Sequence, residues 1–458
     1  MKKKLRLAVA GVLVAAGLAA TAGAASFESS ADKLKDVGLF QGGTAGYELD
    51  RAPTRAEAAT MLVRLLGKEA EAKGLEYTAP FTDLDDWQKP YVQYLYTNKL
   101  ANGASETAFE PEGKCTAQMY TTFLLRALGY SDAADGDFTY AGAVDYGKSL
   151  GLVDIANCDE TNFLRDHVAA MSLTALHTGV KDGETDLLDK LVADGAVDQT
   201  KAANLQAFFK AYDAYVAVSD EMNATKMDMD MNISADVKME GEPFMSLTMP
   251  VNLKADMDLE KMDQSKLALV GAAQMKLAAE LTGEGEDSTM DMPIEMYYTN
   301  GWYYMNMQGE KMKMAMSFDD MMEQMGDMTQ MPQQSEPICL IDSIETTGNK
   351  TVITYSPSGL TGMISSVLQQ VGVAKEDIAM EIKDINSSLT LTDGKLTAMN
   401  MSAMLSMTVE GTTMDMSMKA DYTIKALGDG VQITLPTDLD TYTDMGTMTE
   451  VEAPAAAA

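Results

Sequence analysis

Apolar residues recur at helical spacing through the first half of the chain and at every second position through much of the rest, which predicts helices followed by a long antiparallel sheet. Three stretches carry the helical period: TRAEAATMLVRLLG from Thr54, TAQMYTTFLLRALG from Thr116 and LRDHVAAMSLTAL from Leu164. The first two close on the same Arg-x-Leu-Gly, at Arg64 to Gly67 and at Arg126 to Gly129. A helical unit repeated three times predicts a modular binding array, here over 27–197. Leu205, Phe208, Phe209, Tyr212 and Val216 keep the spacing and predict one connecting helix over 198–222.

From Met227 the period becomes two. Met227, Met229, Met231, Ile233, Ala235, Val237 and Met239 alternate with polar residues, and the stretch from Met245 to Leu259 repeats the pattern. Strict alternation predicts strands with one dry face and one wet face. Asn300-Gly301 is a hairpin signal that pairs Tyr298 with Tyr303, Met296 with Met305 and Ile294 with Met307. A turn at Gly309-Glu310 would pair Met307 with Met312, Met305 with Met314 and Tyr303 with Met316. Glu410-Gly411 would pair Met407 with Met414, Leu405 with Met416, Ala403 with Met418 and Met399 with Tyr422. All three turns put the apolar side chains on one face. Two further helices are predicted, Phe318 to Met331 and Leu360 to Val371, laid into the concave face of a curved sheet. The fold class is therefore α+β in several domains: an N-terminal all-α three-repeat array and a curved antiparallel half-barrel over 223–437 with covering helices. An acidic, Ala-rich tail over 438–458 reads as disordered.

Composition changes the picture in three ways. Residues 1–24 place Lys2, Lys3, Lys4 and Arg6 before an apolar run and then Ala22-Gly23-Ala24, the order of a secretory signal peptide. The protein is thus expected outside the cytoplasm, with no Cys-linked lipid anchor at that point and no later run of ~18 apolar residues to span a membrane. The net charge of −34 repels phosphate backbones and anionic headgroups, which disfavours nucleic acid and membrane surfaces as partners. The three cysteines, Cys115, Cys158 and Cys339, are too few for a disulfide scaffold, and the sequence gives no geometry for pairing Cys115 with Cys158. Of the 38 methionines only Met1, Met61, Met119 and Met171 precede Met222, which marks the domain boundary.

Thr54 and Glu57 form a capping box at the head of the first repeat helix, and Arg55 takes the first helical position beside backbone amides that favour anions. Phe81, Asp83, Trp87, Gly103, Phe109, Pro111 and Thr116 stand in an order that, with Thr54-Arg55-Ala56-Glu57, resembles the S-layer homology domain. The resemblance covers residues ~30 to 195. It implies three repeats in a pseudo-threefold prism whose grooves bind a pyruvylated secondary cell-wall polymer, an anionic polysaccharide, with Arg55 and Arg165 facing the acidic ketal. A planar guanidinium suits a carboxylate. Trp87 has two readings, a platform stacked on a sugar face and an ordinary core residue. The second repeat, Thr116-Ala117-Gln118-Met119, lacks both Arg and Glu, and the third, Leu164-Arg165-Asp166-His167, lacks the Thr cap.

The methionine-rich half resembles the half-barrel of lipoprotein-carrier and lipid-binding lipoproteins. It is also similar to secreted Firmicute proteins with a Tyr-Tyr hairpin and an Ile-Thr-Leu-Pro end, here Tyr297-Tyr298 and Ile433 to Pro436. Its methionines have three readings. They are core, filling an irregular sheet–helix interface at roughly 1.5–3 kcal/mol per buried side chain. They line a cavity for a lipid-like ligand, the candidate face being Met229, Met231, Met296, Tyr298, Tyr303, Met305, Met307, Met314, Met407, Met414 and Met416. Or they hold Cu(I), for which the harder co-ligands are missing, since His167 and His177 both lie outside this half. No Gly-x-Ser-x-Gly, His-Glu-x-x-His or phosphate-cradling loop occurs, so no catalytic residues, metal or cofactor are expected and the protein reads as non-enzymatic.

Overall fold

The first two repeat helices end where a glycine permits. Gly67 (φ +64°) and Gly129 (φ +94°) both adopt the left-handed conformation, and a Cβ on Gly67 would lie 2.4 Å from the Ala196 carbonyl oxygen. The chain then closes each helix in the same way: Lys68 donates back to Val63 at 3.0 Å, and Tyr130 to Leu125 at 2.9 Å. The shared Arg-x-Leu-Gly is thus a stop signal with a physical cause.

The computed structural model describes residues 27–447 except 44, 155–156, 223–224, 259–260, 280–286, 308, 316–336, 357–378 and 410–411. They fall into two compact units. One is helical, Ala25–Ala214 with Glu336–Ile344; the other, from Tyr215 onward, holds the sheet.

The helical unit contains α1 Glu28–Asp36, α2 Arg55–Leu65, α3 Glu69–Lys73, α4 Lys89–Thr97, α5 Ala117–Ala127, α6 Ala143–Ser149, α7 Arg165–His177, α8 Leu187–Ala193 and the first part of α9 Gln199–Met222. Leu34, Leu62, Leu95, Leu124 and Leu176 are fully buried in one continuous core. Tyr120, equally buried, satisfies its hydroxyl on Ser172 at 2.7 Å. All three cysteines are buried, and Cys115 and Cys158 are not paired with each other. Residues 336–344, assigned from the sequence to the half-barrel, belong to this unit. Cys339 and Leu340 pack with Phe27 and Ala170, and Lys33 donates to the Ile341 carbonyl at 3.3 Å. That segment carries no helical or strand period across its length, so the sequence pattern could not place it.

The second unit is built on one curved, mostly antiparallel 12-stranded sheet, in the order β12-β6-β5-β4-β3-β2-β1-β11-β10-β9-β8-β7. The strands are β1 Lys226–Met239, β2 Glu242–Asp256, β3 Lys266–Leu277, β4 Ser288–Thr299, β5 Trp302–Met307, β6 Glu310–Ala315, β7 Ile341–Thr347, β8 Lys350–Tyr355, β9 Ala379–Thr392, β10 Lys395–Val409, β11 Thr412–Leu427 and β12 Thr443–Thr447. Two of the predicted hairpins have the expected register. Tyr298 opposes Tyr303 and Met296 opposes Met305, across a turn where Asn300 (φ +53°) and Gly301 (φ +73°) are both left-handed. Met407 opposes Met414, Leu405 opposes Met416, Ala403 opposes Met418 and Met399 opposes Tyr422.

The third register is corrected. Met307 pairs with Glu310, Met305 with Met312 and Tyr303 with Met314, so the turn is centred on residues 308–309 and not on Gly309-Glu310. Gly309 takes φ +94° at the second turn position, which fixes the register. The shift is two residues, and a two-residue shift returns every side chain to its face. The helices predicted over 318–331 and 360–371 lie outside the described residues. The tail reading is also corrected at its start: β12 pairs parallel to β6, and Tyr442 packs edge-on against Tyr304 at 5.5 Å. Its acidity did not prevent this, because Lys311 pairs with Asp438.

Candidate functional site

α2 starts at a closed capping box: the Thr54 hydroxyl accepts the Glu57 amide at 3.2 Å and the Glu57 carboxylate accepts the Thr54 amide at 2.9 Å. The sequence reading left the next amides free for an anion, and the structure corrects it. The Arg55 amide donates to the Gly113 carbonyl at 2.8 Å and the Ala56 amide to the Pro111 carbonyl at 3.0 Å. The loop 109–113 therefore occupies the helix end, and the anion-attracting group that remains is the Arg55 side chain.

That side chain lies along the same loop. Its Nε donates to the Phe109 carbonyl at 2.8 Å and its Nη2 to the Asn102 carbonyl at 3.3 Å, while the guanidinium carbon stands 4.7 Å from the centre of the Phe109 ring. Nη1 donates to the Met119 sulfur at 3.4 Å, a weak acceptor. Phe109 is positioned in turn by Asp83, which accepts the Phe109 and Glu110 amides at 2.9 and 2.8 Å. Burial opposes the charge on Asp83, but these amides hold its carboxyl below the usual range. Asp83 was read only as part of a motif; its role as holder of the Arg55 loop needed the structure.

Arg165 takes the same seat on α7. Its amide and that of Asp166 donate to the Arg51 and Leu49 carbonyls at 2.9 and 3.1 Å. Its Nε donates to the Tyr47 carbonyl at 2.9 Å and its Nη1 to the Met61 sulfur at 3.8 Å. The electrostatics differ. Glu57, gripped at 2.7 and 2.8 Å by Arg51, lies 3.8 Å from Arg165 Nη1. Arg55 is 7% exposed and, among the described residues, has no carboxylate within ion-pair distance. The motif explains the difference: in Thr116-Ala117-Gln118-Met119 the residue aligned with Glu57 is Met119, which faces Arg55.

Trp87 is half exposed (50%), in the turn before α4, so the core reading does not hold. Its neighbour Gln88 donates to Glu112 at 2.8 Å, on the loop that seats Arg55. The wall-polymer candidates thus divide: Arg55 sits on the loop 109–113, Arg165 on the loop 47–51, and Trp87 is exposed next in sequence to Gln88, which bonds to the first of these loops.

On the sheet, Met312, Met305, Met296, Leu269, Leu253 and Met229 stand side by side across six strands. Met314, Tyr303, Tyr298, Leu267, Ala255 and Met227 form the next row. Met229, Met414, Met416 and Tyr298 are buried, whereas Met231, Met296, Tyr303, Met305 and Met314 are half-buried. Met307 and Met407 are placed by their backbone pairing. A cavity of about 400 Å³ opens on the opposite, polar face, beside Asp230, Asn232, Asn252 and Asp421. Among the described residues no helix is long and apolar enough to cross a membrane.

No family model matches the chain. It is 34% identical over 139 residues to the middle cell wall protein of Brevibacillus brevis, covering 29% of this chain and 13% of that protein. It is 31% identical over 115 residues to the surface layer protein of Brevibacillus choshinensis, covering 24% of this chain and 10% of that protein. A third relative, the amylopullulanase of Thermoanaerobacterium thermosulfurigenes, is 28% identical over 17% of this chain and 5% of its own. The chain spans well under a fifth of the length of each of these relatives. Among solved structures, a DUF1329 family protein from Desulfovibrio piger matches at 8% identity over 50% of this chain and 95% of its own, with a TM-score of 0.17, which carries no argument about fold. The chain is an extracellular cell-envelope protein, located at the cell wall or surface layer.

Proposed function

We propose that the chain is held in the envelope by the Arg55 groove, which binds the acidic ketal of a pyruvylated secondary cell-wall polymer, and that its role is binding rather than catalysis. The observation that carries this reading is the contrast between the two arginines. A nearly buried guanidinium that, among the described residues, has no carboxylate within ion-pair distance and only the more distant charge of Asp83 is costly, and a ligand carboxylate relieves that cost through charge-assisted hydrogen bonds from the spare Nη donors. Arg165 already has Glu57 and serves instead to brace its loop. Trp87, whose neighbour Gln88 bonds to Glu112 on the loop 109–113, supplies an exposed ring suited to the apolar face of a sugar. The helical unit, on this reading, is a three-repeat array of the S-layer homology type. Arg55→Ala should release the secreted protein from purified walls, as should mild-acid removal of the ketals from wild-type complexes. Unchanged retention of the variant would sink the assignment.

A second reading concerns the sheet. Its Met and Tyr rows are buried along β11 and at Met229 on β1, whereas Met296, Tyr303, Met305, Met312 and Met314 on β4, β5 and β6 are half-buried beside the buried Tyr298, which favours an apolar, lipid-like guest at that end of the face. Native mass spectrometry of the intact secreted protein should show a co-purified apolar mass removable by solvent extraction. A clean apo mass that does not change on incubation with lipid would make the face a packed spacer.

A further inference from the structure

The second repeat has Ala117 where the others have arginine, and the third has Tyr140 in Phe138-Thr139-Tyr140 where the second has Asp83 in Phe81-Thr82-Asp83. These two departures meet at one place. The Gln118 side chain donates to the Tyr140 carbonyl at 2.7 Å, and the next residue, Met119, places its sulfur 3.4 Å from Arg55 Nη1. The backbone of Tyr140 is held from both sides, since Thr139 also accepts the Gly142 amide through its carbonyl and its hydroxyl at 2.9 and 3.2 Å. Its side chain is nonetheless 45% exposed.

We propose that Tyr140 is the sugar-facing platform of the Arg55 site, its ring taking the apolar face of the acidic hexose whose carboxylate Arg55 binds. This rests on the Arg55 reading above and adds to it the residue that would select for a ring-shaped ligand over a bare anion. The fixed backbone limits the entropy lost when the side chain docks. Burial raises the Tyr140 hydroxyl above its ordinary value, and the foremost opposing influence is the charge of Arg55, which places the two groups in one electrostatic neighbourhood.

The test compares Arg55→Ala, Tyr140→Ala and Tyr140→Phe in the full secreted chain, titrated against purified walls with ketals intact and with ketals stripped by mild acid. Tyr140→Ala should bind intact walls about tenfold more weakly, the scale of one aromatic contact, while unfolding at the wild-type temperature. Tyr140→Phe should bind within about twofold of wild type, because the ring and not the hydroxyl is the platform. If Arg55→Ala loses binding and Tyr140→Ala does not, Tyr140 is overturned and the anion site stands. If both Tyr140 variants weaken binding equally, the hydroxyl is the contact and the platform is overturned. If Arg55→Ala binds as wild type does, the anion site falls and this assignment falls with it.

Discussion

Arg55 and Arg165 occupy the same seat on two helices and differ in what faces them. Each opens a helix whose first amides bond to a neighbouring loop, each donates Nε to the carbonyl of an aromatic residue, and each rests Nη1 on a methionine sulfur. Opposite Arg165 is Glu57; opposite Arg55, at the aligned position, is Met119. One carboxylate, doubling as a helix cap and as a counter-ion, separates a braced loop from a charge in need of a ligand. A motif glutamate is therefore to be read for the arginine of a neighbouring helix as well as for its own helix.

The sharpest break in the comparison is functional. Arg55→Ala should weaken wall binding about 100-fold, on the scale of two lost charge-assisted hydrogen bonds, with unfolding nearly unchanged. Arg165→Ala should do the reverse, costing about 1–3 kcal/mol of stability while the folded protein binds walls normally. Equal losses of binding in both variants, measured by co-sedimentation, would erase the distinction.

Glu57→Gln attacks the counter-ion itself. Burial works against the Glu57 charge, yet the Arg51 hydrogen bonds, the Thr54 amide and Arg165 together hold its carboxyl below the usual range. The stability it supplies is complete above its unfolded value of about 4.3 and is lost as the pH falls through the lower folded value. The variant should be about 1–3 kcal/mol less stable at pH 7 and should show a shallower loss below about pH 4. Urea titrations at both pH values check this, and parallel curves would show that Glu57 carries no net charge stabilisation. Met119→Glu is the converse: a carboxylate aimed at Arg55 should occupy it internally, weakening wall binding about tenfold without unfolding the protein. Tighter binding would mean that Arg55 is not the receptor.

How far the sequence reveals this follows from the physics of each feature. The sheet was legible because its period is two and its hairpin turns need left-handed residues, as Asn300-Gly301 shows. The turn at Gly309 was misplaced by one residue, which moves the strand pairing by two, and alternation is blind to even shifts. The capping box was legible because it is local, three residues from Thr54 to Glu57. The loop carbonyls on Arg55 and the carboxylate facing Arg165 were not, because Gly113 and Glu57 lie 58 and 108 residues from their partners and no pattern in one sequence reports such distances. Trp87 was ambiguous for a simpler reason: the same residue type serves core and platform, and only exposure separates them.

The smallest expected effect tests a further difference between the two helix starts, Asp166 where α2 has Ala56. Asp166 is buried and accepts the Phe27 amide at 2.6 Å. Burial raises its carboxyl to about 7, with the Glu28 charge adding to the rise and the Phe27 amide opposing it. With an unfolded value near 3.9, the native state holds a proton that the unfolded chain has released across the window from about pH 4 to about pH 7. Stability should therefore fall as the pH rises through that window and level off above it. Asp166→Asn keeps an oxygen for the Phe27 amide and removes the titration. It should unfold about 2–4 °C above wild type at pH 8 and close to wild type at pH 4.5, a difference on the order of 1 kcal/mol. A constant offset at both pH values would mean that Asp166 is charged in the folded protein throughout. The third-repeat helix start would then carry an unrelieved anion beside Arg165, and the contrast with Arg55 would rest on two carboxylates rather than one.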